Sequence, residues 1–268
     1  MPNEITLEQP GALAEVPMSV EELTRDEQLG GKLGLQDIAV PYLYVLQTNS
    51  PQCNPDHSKY VSGATPGMLY LSNMEKVYDG RERGLVVVPC YYERLVTEWV
   101  PRSAGGGLIA SHDPDAEVVS KGVWREVDGK KTLMLPNGHQ LVETAYHYML
   151  VNLPDVKTWV QCIAPFKSTA LKVSRRMNSA ISTTMIPGTD RKAPRFLYKW
   201  QMTTVKEQQD TYVWSSPRLE QLGMVSADVY AAAKAYALIA AKGVLRRAIV
   251  ESEQESGGNA VNAEDAPF

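Results

Sequence analysis

The chain has 268 residues, of which 44% are hydrophobic and 22% are charged, and its formal net charge is −4. This length and composition are enough to bury a sizeable core, which excludes a chain that is disordered throughout. No apolar stretch is long enough to cross a bilayer, and the first residues do not resemble a signal peptide, so we expect a cytoplasmic protein. The cysteines Cys53, Cys90 and Cys162 are odd in number and form no CxxC pair, which argues against a disulfide framework and a four-ligand zinc knuckle.

Charge is unevenly distributed along the chain. Residues 1–27 carry seven acids and one base, and residues 251–268 carry five acids and no base. The intervening residues 28–250 therefore hold 26 basic and 19 acidic side chains. A basic body with acidic ends predicts a polyanionic partner for which the acidic ends compete.

The first predicted element is an acidic flexible arm over residues 1–34. It contains acids, prolines and a glycine cluster without sustained periodicity, with one short helix expected around Val20–Leu29. The folded body is predicted to span residues 35–215. Runs of β-forming residues recur in it between turn residues such as Asp128-Gly129 and Asn137-Gly138.

Nine strands are predicted in this body. They span Gly67–Ser72, Gly84–Tyr92, Arg94–Val100, Gly122–Glu126, Lys131–Leu135, Gln140–Leu153, Thr158–Ala164, Phe196–Val205 and Gln209–Trp214. The two short hairpin signals predict that the chain from Val123 to Val151 forms a meander of three successive strands. The pattern favours a mainly β fold, an antiparallel sheet rolled into a barrel with helices added to it.

Two helices are predicted. Ser168–Met185 begins at a candidate N-cap and places Lys172, Arg175 and Arg176 opposite its apolar face. Ser226–Val250 is long and alanine-rich, and occupies most of a C-terminal helical region over residues 216–250. Residues 251–268 have no apolar periodicity and are predicted to form a disordered acidic tail.

The tail ends in a motif suited to capture by another protein. Glu264 and Asp265 precede Pro267 and Phe268, so two acids and a terminal aromatic ring lie close together. A partner pocket could take the ring while its basic rim pairs with the carboxylates. The alternative is an ordinary disordered end. The motif resembles the C-terminal tip of bacterial single-stranded DNA-binding proteins.

Candidate DNA contacts lie in the body. Alternation along Lys157–Ala164 places Trp159 with Lys157 on a polar face, an arrangement that suits base stacking and phosphate attraction. The other candidates are Tyr91, Tyr92, Trp99, Arg102, Tyr146, Tyr148, Lys167, Lys172, Arg175, Arg176, Arg195, Lys199 and Trp200. Alternatively, the aromatic residues fill the core and the basic helix face is merely solvated.

Catalytic signals are weak. The types and spacing of His139, Glu143 and His147 leave a metal site open, as does the segment from Cys53 to His57, but neither has an established ligand spacing. The sequence contains no phosphate-binding loop and no nucleophile elbow. We therefore expect a protein that is not an enzyme and needs no cofactor or metal.

Several segments of the body carry a family resemblance. They are Ile38–Gln47, Lys76–Arg94, Trp99–His112, Leu135–Val151 and Ser168–Ser179. They resemble tailed-phage and prophage proteins assigned as single-stranded DNA-binding proteins. The resemblance implies a five-stranded oligonucleotide-binding (OB) barrel that coats phage DNA during replication, recombination and repair in the host cytoplasm. It also implies recruitment of replication and recombination proteins through the acidic tail, and leaves a homo-oligomer open.

Two other functions stay open from the sequence. One is a structural or assembly protein of a phage, in which the barrel and the acidic ends make protein contacts. The other is a metal-dependent nuclease that uses the histidines near residue 143.

Overall fold

The computed structural model describes residues 39–127, 130–243 and 245–246. A small antiparallel sheet comes first and consists of β1 (Leu43–Val45), β2 (Leu69–Leu71) and β3 (Lys76–Tyr78) in that order. A parallel bridge between Tyr42 and Ile163 connects the start of β1 to the strand that contains Ile163.

A large antiparallel sheet forms the rest of the β structure. Its strands are β4 (Leu85–Trp99), β5 (Leu108–His112), β6 (Val123–Val127), β7 (Lys130–Met134), β8 (Gln140–Leu153), β9 (Thr158–Lys167), β10 (Tyr198–Gln209) and β11 (Tyr212–Met224). The order is β11-β10-β4-β8-β7-β6, with β5 also paired to β4 and β9 also paired to β8. The long strands β4 and β8 each reach two further partners because different ends of each strand pair with different neighbours.

Three α-helices accompany the sheets in the described part of the chain: α1 (Glu117–Ser120), α2 (Leu171–Thr183) and α3 (Ala227–Ala241). The longer two pack on opposite faces of the large sheet, α2 against β8, β9 and β11, and α3 against β4 and β8. None of the described helices is long and apolar enough to span a membrane.

Each long helix completes its own hydrophobic core. The α3-side core contains Tyr44, Val88, Tyr146, Tyr148, Ile163, Val229, Ala233 and Tyr236. The α2-side core contains Leu43, Leu69, Leu85, Met149, Phe166, Met177 and Met202. Because the middle of β8 is covered on both faces, every residue from Thr144 to Val151 is buried, as expected for a strand that reads as a nearly continuous apolar run.

Side-chain hydrogen bonds tie β1 to β11. The Gln47 amide nitrogen donates to the Ser215 carbonyl at 2.8 Å, and the Ser215 N–H donates to the Gln47 side-chain oxygen at 2.9 Å. Nearby, Thr204 Oγ1 donates to the Gly67 carbonyl at 2.6 Å. A Cβ on Gly80 would lie only 2.3 Å from that same carbonyl, so this close approach requires glycine.

The mainly β, antiparallel prediction is confirmed, and so is the meander, which is β6-β7-β8. The closed barrel is wrong, because the strands form two antiparallel sheets whose ladders do not close on each other. The OB-fold assignment stays a prediction. β11 continues to Met224, past residue 215, where the body was predicted to end.

The C-terminal helix is shorter than predicted. It ends at Ala241, because Gly243 adopts a left-handed φ of +69°, which terminates the helical backbone. The other helix also starts later than expected, since Ser168–Ala170 is a 3-10 turn and the N-cap residue of α2 is Ala170, not Ser168. The predictions for residues 1–34 and for the tail at 251–268 lie outside the described residues.

Candidate nucleic-acid interface

An open groove of about 1340 Å³ lies between two β-hairpins. The β6-β7 hairpin forms one side and the tip of the β10-β11 hairpin contributes to the other, while the start of β8 and the start of α2 complete the lining. The β6-β7 hairpin extends beyond the sheet, since β7 pairs with β8 only at Leu133–Leu141 and Met134–Gln140. All five residues of β6 are exposed as a result.

Two tryptophans line this groove, one from each hairpin. Trp124 on β6 is 67% exposed. Trp214 on β11 is partly buried, and its indole N–H donates to Ser216 Oγ at 3.0 Å, which fixes the orientation of the ring. The groove therefore presents aromatic rings from two separate strands.

Neither tryptophan was among the sequence-predicted contacts. A short strand that begins at Val123 and carries Trp124 next to Arg125 was the available signal. This signal did not identify Trp124 as a contact, because alternation of apolar and polar residues cannot show that a strand is exposed on both faces. That exposure depends on how far the hairpin extends past its neighbour β8, which is a tertiary property.

The charged residues of the groove nearly balance. Four cations line it, namely Arg125, Lys131, Lys172 and Arg175, together with three carboxylates, Glu126, Glu143 and Glu207. Lys172 Nζ pairs with Glu207 Oε2 at 2.7 Å, and Glu143 pairs at 2.6 Å with Arg94, outside the lining. The groove is thus only weakly basic, and an anionic ligand would compete with carboxylates for part of its positive charge.

The structure brings Lys172 and Arg175 into the groove but not Arg176. Arg175 and Arg176 are both exposed on α2, yet only Arg175 belongs to the groove lining. Lys157 is exposed in the turn before β9, with a left-handed φ of +51°, and Lys199 is partly buried in β10.

Several predicted aromatic contacts lie in the cores instead. Tyr146, Tyr148 and Trp200 are almost completely buried. The Tyr148 hydroxyl donates to Glu93 Oε2 at 3.1 Å, and burial followed by the Glu93 charge raises the pKa of that hydroxyl. Trp159 is not on an open face, because it is partly buried and packs against the α3-side core. These rings are not available to stack on a base in this conformation.

The remaining aromatic candidates make internal cation contacts. Lys167 is buried and its ammonium lies 4.9 Å from the centre of the Trp99 ring. The Arg195 guanidinium lies 5.4 Å from the Tyr92 ring and donates to Asn178 Oδ1 at 2.5 Å. Burial lowers the pKa of Arg195 to about 10. The aromatic–cation pairs therefore link β4 to β9 and to the loop before β10, and their residues do not line the groove.

Tyr91 is partly buried and packs at 5.7 Å against the ring of Tyr148. The Arg102 side chain and the tail residues Glu264, Asp265, Pro267 and Phe268 lie outside the part of the chain that the structure describes.

The three candidate metal ligands around β8 have separate partners. His139 Nδ1 lies 2.6 Å from Glu98 Oε1, Glu143 pairs with Arg94, and His147 Nε2 lies 2.8 Å from Ser174 Oγ. Within residues 39–127, 130–243 and 245–246, no group of three or more His, Cys, Asp or Glu side chains is arranged to hold a metal ion. Burial, followed by the Arg195 charge, lowers the pKa of His147 to about 3, so this ring is neutral at pH 7.

The fold and groove define a mainly β protein with an open cleft that is aromatic at its two hairpins and polar between them. A family model described as Pam3 phage gp34-like protein matches residues 11–245, which is most of the chain. The chain belongs to this family and is therefore a phage protein. No curated protein and no solved structure matches it.

Proposed function

We propose that this phage protein binds single-stranded DNA in the groove between its β6-β7 and β10-β11 hairpins. The observation that carries the proposal is the exposed Trp124 ring, which lines a groove that also holds Trp214 and four cations. Single strands expose the faces of their bases, and each base stacked on an aromatic ring contributes about 1–3 kcal/mol. Duplex DNA hides those faces, so the rings favour the single strand.

The weak net charge of the groove determines how strongly the affinity for DNA should depend on salt. Affinity for a nucleic acid that depends mainly on phosphates falls steeply with salt, by about 0.7 of a log unit per log unit of salt for each phosphate neutralised on a single strand. Because Lys172 is paired with Glu207, fewer cations are ready to meet phosphates. Stacking therefore carries a large share of the affinity, and the dependence on salt is shallow.

In the cell, the protein would coat and protect phage DNA during replication, recombination and repair in the host cytoplasm. The role is non-catalytic and uses no cofactor. The acidic tail ending in Pro267 and Phe268 would recruit replication or recombination proteins, as its motif suggests. The resemblance of the body segments to phage single-stranded DNA-binding proteins supports the same role.

A phage assembly role is the second candidate. The near balance of acids and bases in the groove favours it, because a peptide meets such a surface with less repulsion than a polyanion does. The two candidates predict different ligands for the same groove.

The test is a titration of intrinsic tryptophan fluorescence with an oligothymidine and with a duplex of equal length, at two salt concentrations and with and without EDTA. We expect quenching by the single strand, weaker binding of the duplex, and no cleavage in any sample. If neither DNA binds, the single-stranded DNA-binding proposal is contradicted and the assembly role is favoured. Cleavage that EDTA abolishes would contradict both candidate functions and would indicate a metal-dependent nuclease.

A further inference from the structure

The helix α3 has a buried seam along one face. Val229, Ala233, Tyr236 and Ala240 are buried at spacings of four, three and four, and the Tyr236 hydroxyl donates to the Cys162 carbonyl at 3.2 Å. This seam packs the helix on β4 and β8. A surface helix with one such seam normally carries polar residues on its other faces.

The outer face of α3 carries a second seam. Asp228, Ala231, Ala235 and Leu238 of α3, and Lys242 directly after its last residue, are all exposed and follow one another at spacings of three, four, three and four. That alternation is the spacing of a helix-pairing seam. Leu238, at the centre of its apolar part, is 58% exposed, and Asp228 and Lys234 are the only charged residues in α3.

The order of residues in this second seam is complementary to itself when reversed. If two copies of α3 run antiparallel about Ala235, Asp228 of one copy faces Lys242 of the other at both ends. Leu238 of one copy then lies level with Ala232 of the other, beside Ala231, so that a large side chain meets small ones. A parallel pair would instead oppose two aspartates at one end and two lysines at the other.

We infer that the outer seam of α3 is the interface with a second copy of this chain, paired antiparallel about a two-fold axis at Ala235. The helix dipole alone accounts for an acid near the start and a base near the end of α3. It does not account for an exposed leucine between them at pairing spacing. A two-fold axis makes every contact occur twice, which is how a short helix gives a specific interface.

The expected dimer is weak. One pair of four-turn helices is small beside the roughly 1,200–2,000 Å² of a standard interface, so we expect a dissociation constant of about 1–100 µM. No residue of α3 lines the groove, so both grooves stay open in the dimer. The inference therefore does not depend on the proposed binding of DNA.

Sedimentation velocity of the full chain over this concentration range tests the inference. We expect a monomer–dimer equilibrium in the wild type and at least a tenfold larger dissociation constant for Leu238→Glu, which places a carboxylate in the seam. Ile109→Glu is the matched control, because Ile109 is 48% exposed and lies on β5, which is not among the strands that α3 packs against. Circular dichroism establishes that each variant is folded.

A charge exchange tests the orientation and still decides the question if Leu238→Glu fails to fold. Lys242→Asp places two carboxylates opposite each other and should weaken the dimer severalfold. Adding Asp228→Lys restores opposite charges and should return the dissociation constant to within about threefold of the wild type. A wild-type chain that is monomeric throughout, or a dimer unaffected by both Leu238→Glu and Lys242→Asp, would overturn the inference.

Discussion

Lys172 on α2 and Glu207 on β10 form an ion pair within the groove, with 2.7 Å between Nζ and Oε2. Both side chains line the groove, and the lysine is the more exposed of the two. An exposed pair of this kind adds little to stability, so its main effect is on the charge that a ligand meets.

We predict that Glu207→Gln will raise the affinity for single-stranded DNA severalfold. The substitution leaves Lys172 without its carboxylate, so its ammonium becomes available to a phosphate. The slope of log affinity against log salt should steepen by about 0.7. Glu220→Gln on the exposed part of β11, outside the groove, is the control for the loss of one negative charge. Equal effects of the two substitutions would mean that Lys172 makes no phosphate contact.

Neighbouring arginines on α2 give a sharper comparison. Arg175 lines the groove and Arg176 does not, although both are exposed. Arg175→Ala should therefore weaken binding and flatten the salt slope by about 0.7, while Arg176→Ala should change neither appreciably. The salt series is measured on both variants with the same oligothymidine. A matching loss in Arg176→Ala would point to a general electrostatic effect instead of a groove contact.

We expect base stacking in the groove to depend on Trp124. We predict that Trp124→Ala will weaken binding by about 1–3 kcal/mol, and that Trp124→Phe will recover most of the loss because an aromatic face is retained. Tyr60→Ala serves as control, since Tyr60 is 40% exposed and lies outside the groove. An affinity for oligothymidine that is unchanged in Trp124→Ala removes this ring from the site. Trp159→Ala should act mainly on stability, because Trp159 packs against the α3-side core.

Stability should depend on pH through His147. Burial holds the pKa of this ring at about 3 in the folded protein, below the ordinary value of about 6.5 in the unfolded chain. Between these values the unfolded chain binds one more proton, so the contribution is complete above about pH 6.5 and is lost as the pH falls towards 3. His147→Phe should remove a slope of up to about 1.4 kcal/mol per pH unit, measured by urea unfolding. Identical pH profiles of wild type and variant would contradict this assignment.

The acidic tail should compete with DNA. Deleting residues 251–268 removes five acids and no base, so affinity for single strands should rise, most visibly at low salt where charges are least screened. Phe268→Ala keeps every side-chain charge and should abolish capture of replication proteins without changing the affinity for DNA. The competition idea fails if the deletion leaves low-salt affinity unaltered. The recruitment idea fails if Phe268→Ala captures the same proteins.

Local patterns predicted the long strands well. Gln140–Leu153 is a strand with those same ends, because its turn residues and continuous apolar run leave little ambiguity. The predicted break between two strands at Glu93 is wrong, because β4 continues through this residue. The Glu93 carboxylate accepts hydrogen bonds from Tyr148 and Arg246. The short strands β1 and β5 were missed, because their few residues carry little periodicity and no hairpin turn marks them as Asp128-Gly129 and Asn137-Gly138 mark β6 and β7.

The site was harder to predict than the strands. Alternation placed Trp159 correctly on the face opposite Cys162, but could not show that this face is covered by the core that α3 completes. The same difficulty applies in reverse to Trp124, whose strand lacks a covering layer. Which aromatic residues are accessible is decided by contacts distant in sequence, so residue type alone ranks them poorly.

The attachment of the β6-β7 hairpin affects how a long polymer could reach the groove. The hairpin is joined to β8 by two residue pairs, while β8 and β9 share ten, so it can swing away at a small fraction of the cost of unfolding the sheet. One side of the cleft is therefore joined to the sheet by a short ladder at one end of the hairpin. If the groove binds single strands as proposed, we expect a circular strand without a free end to enter it from the side and not by threading.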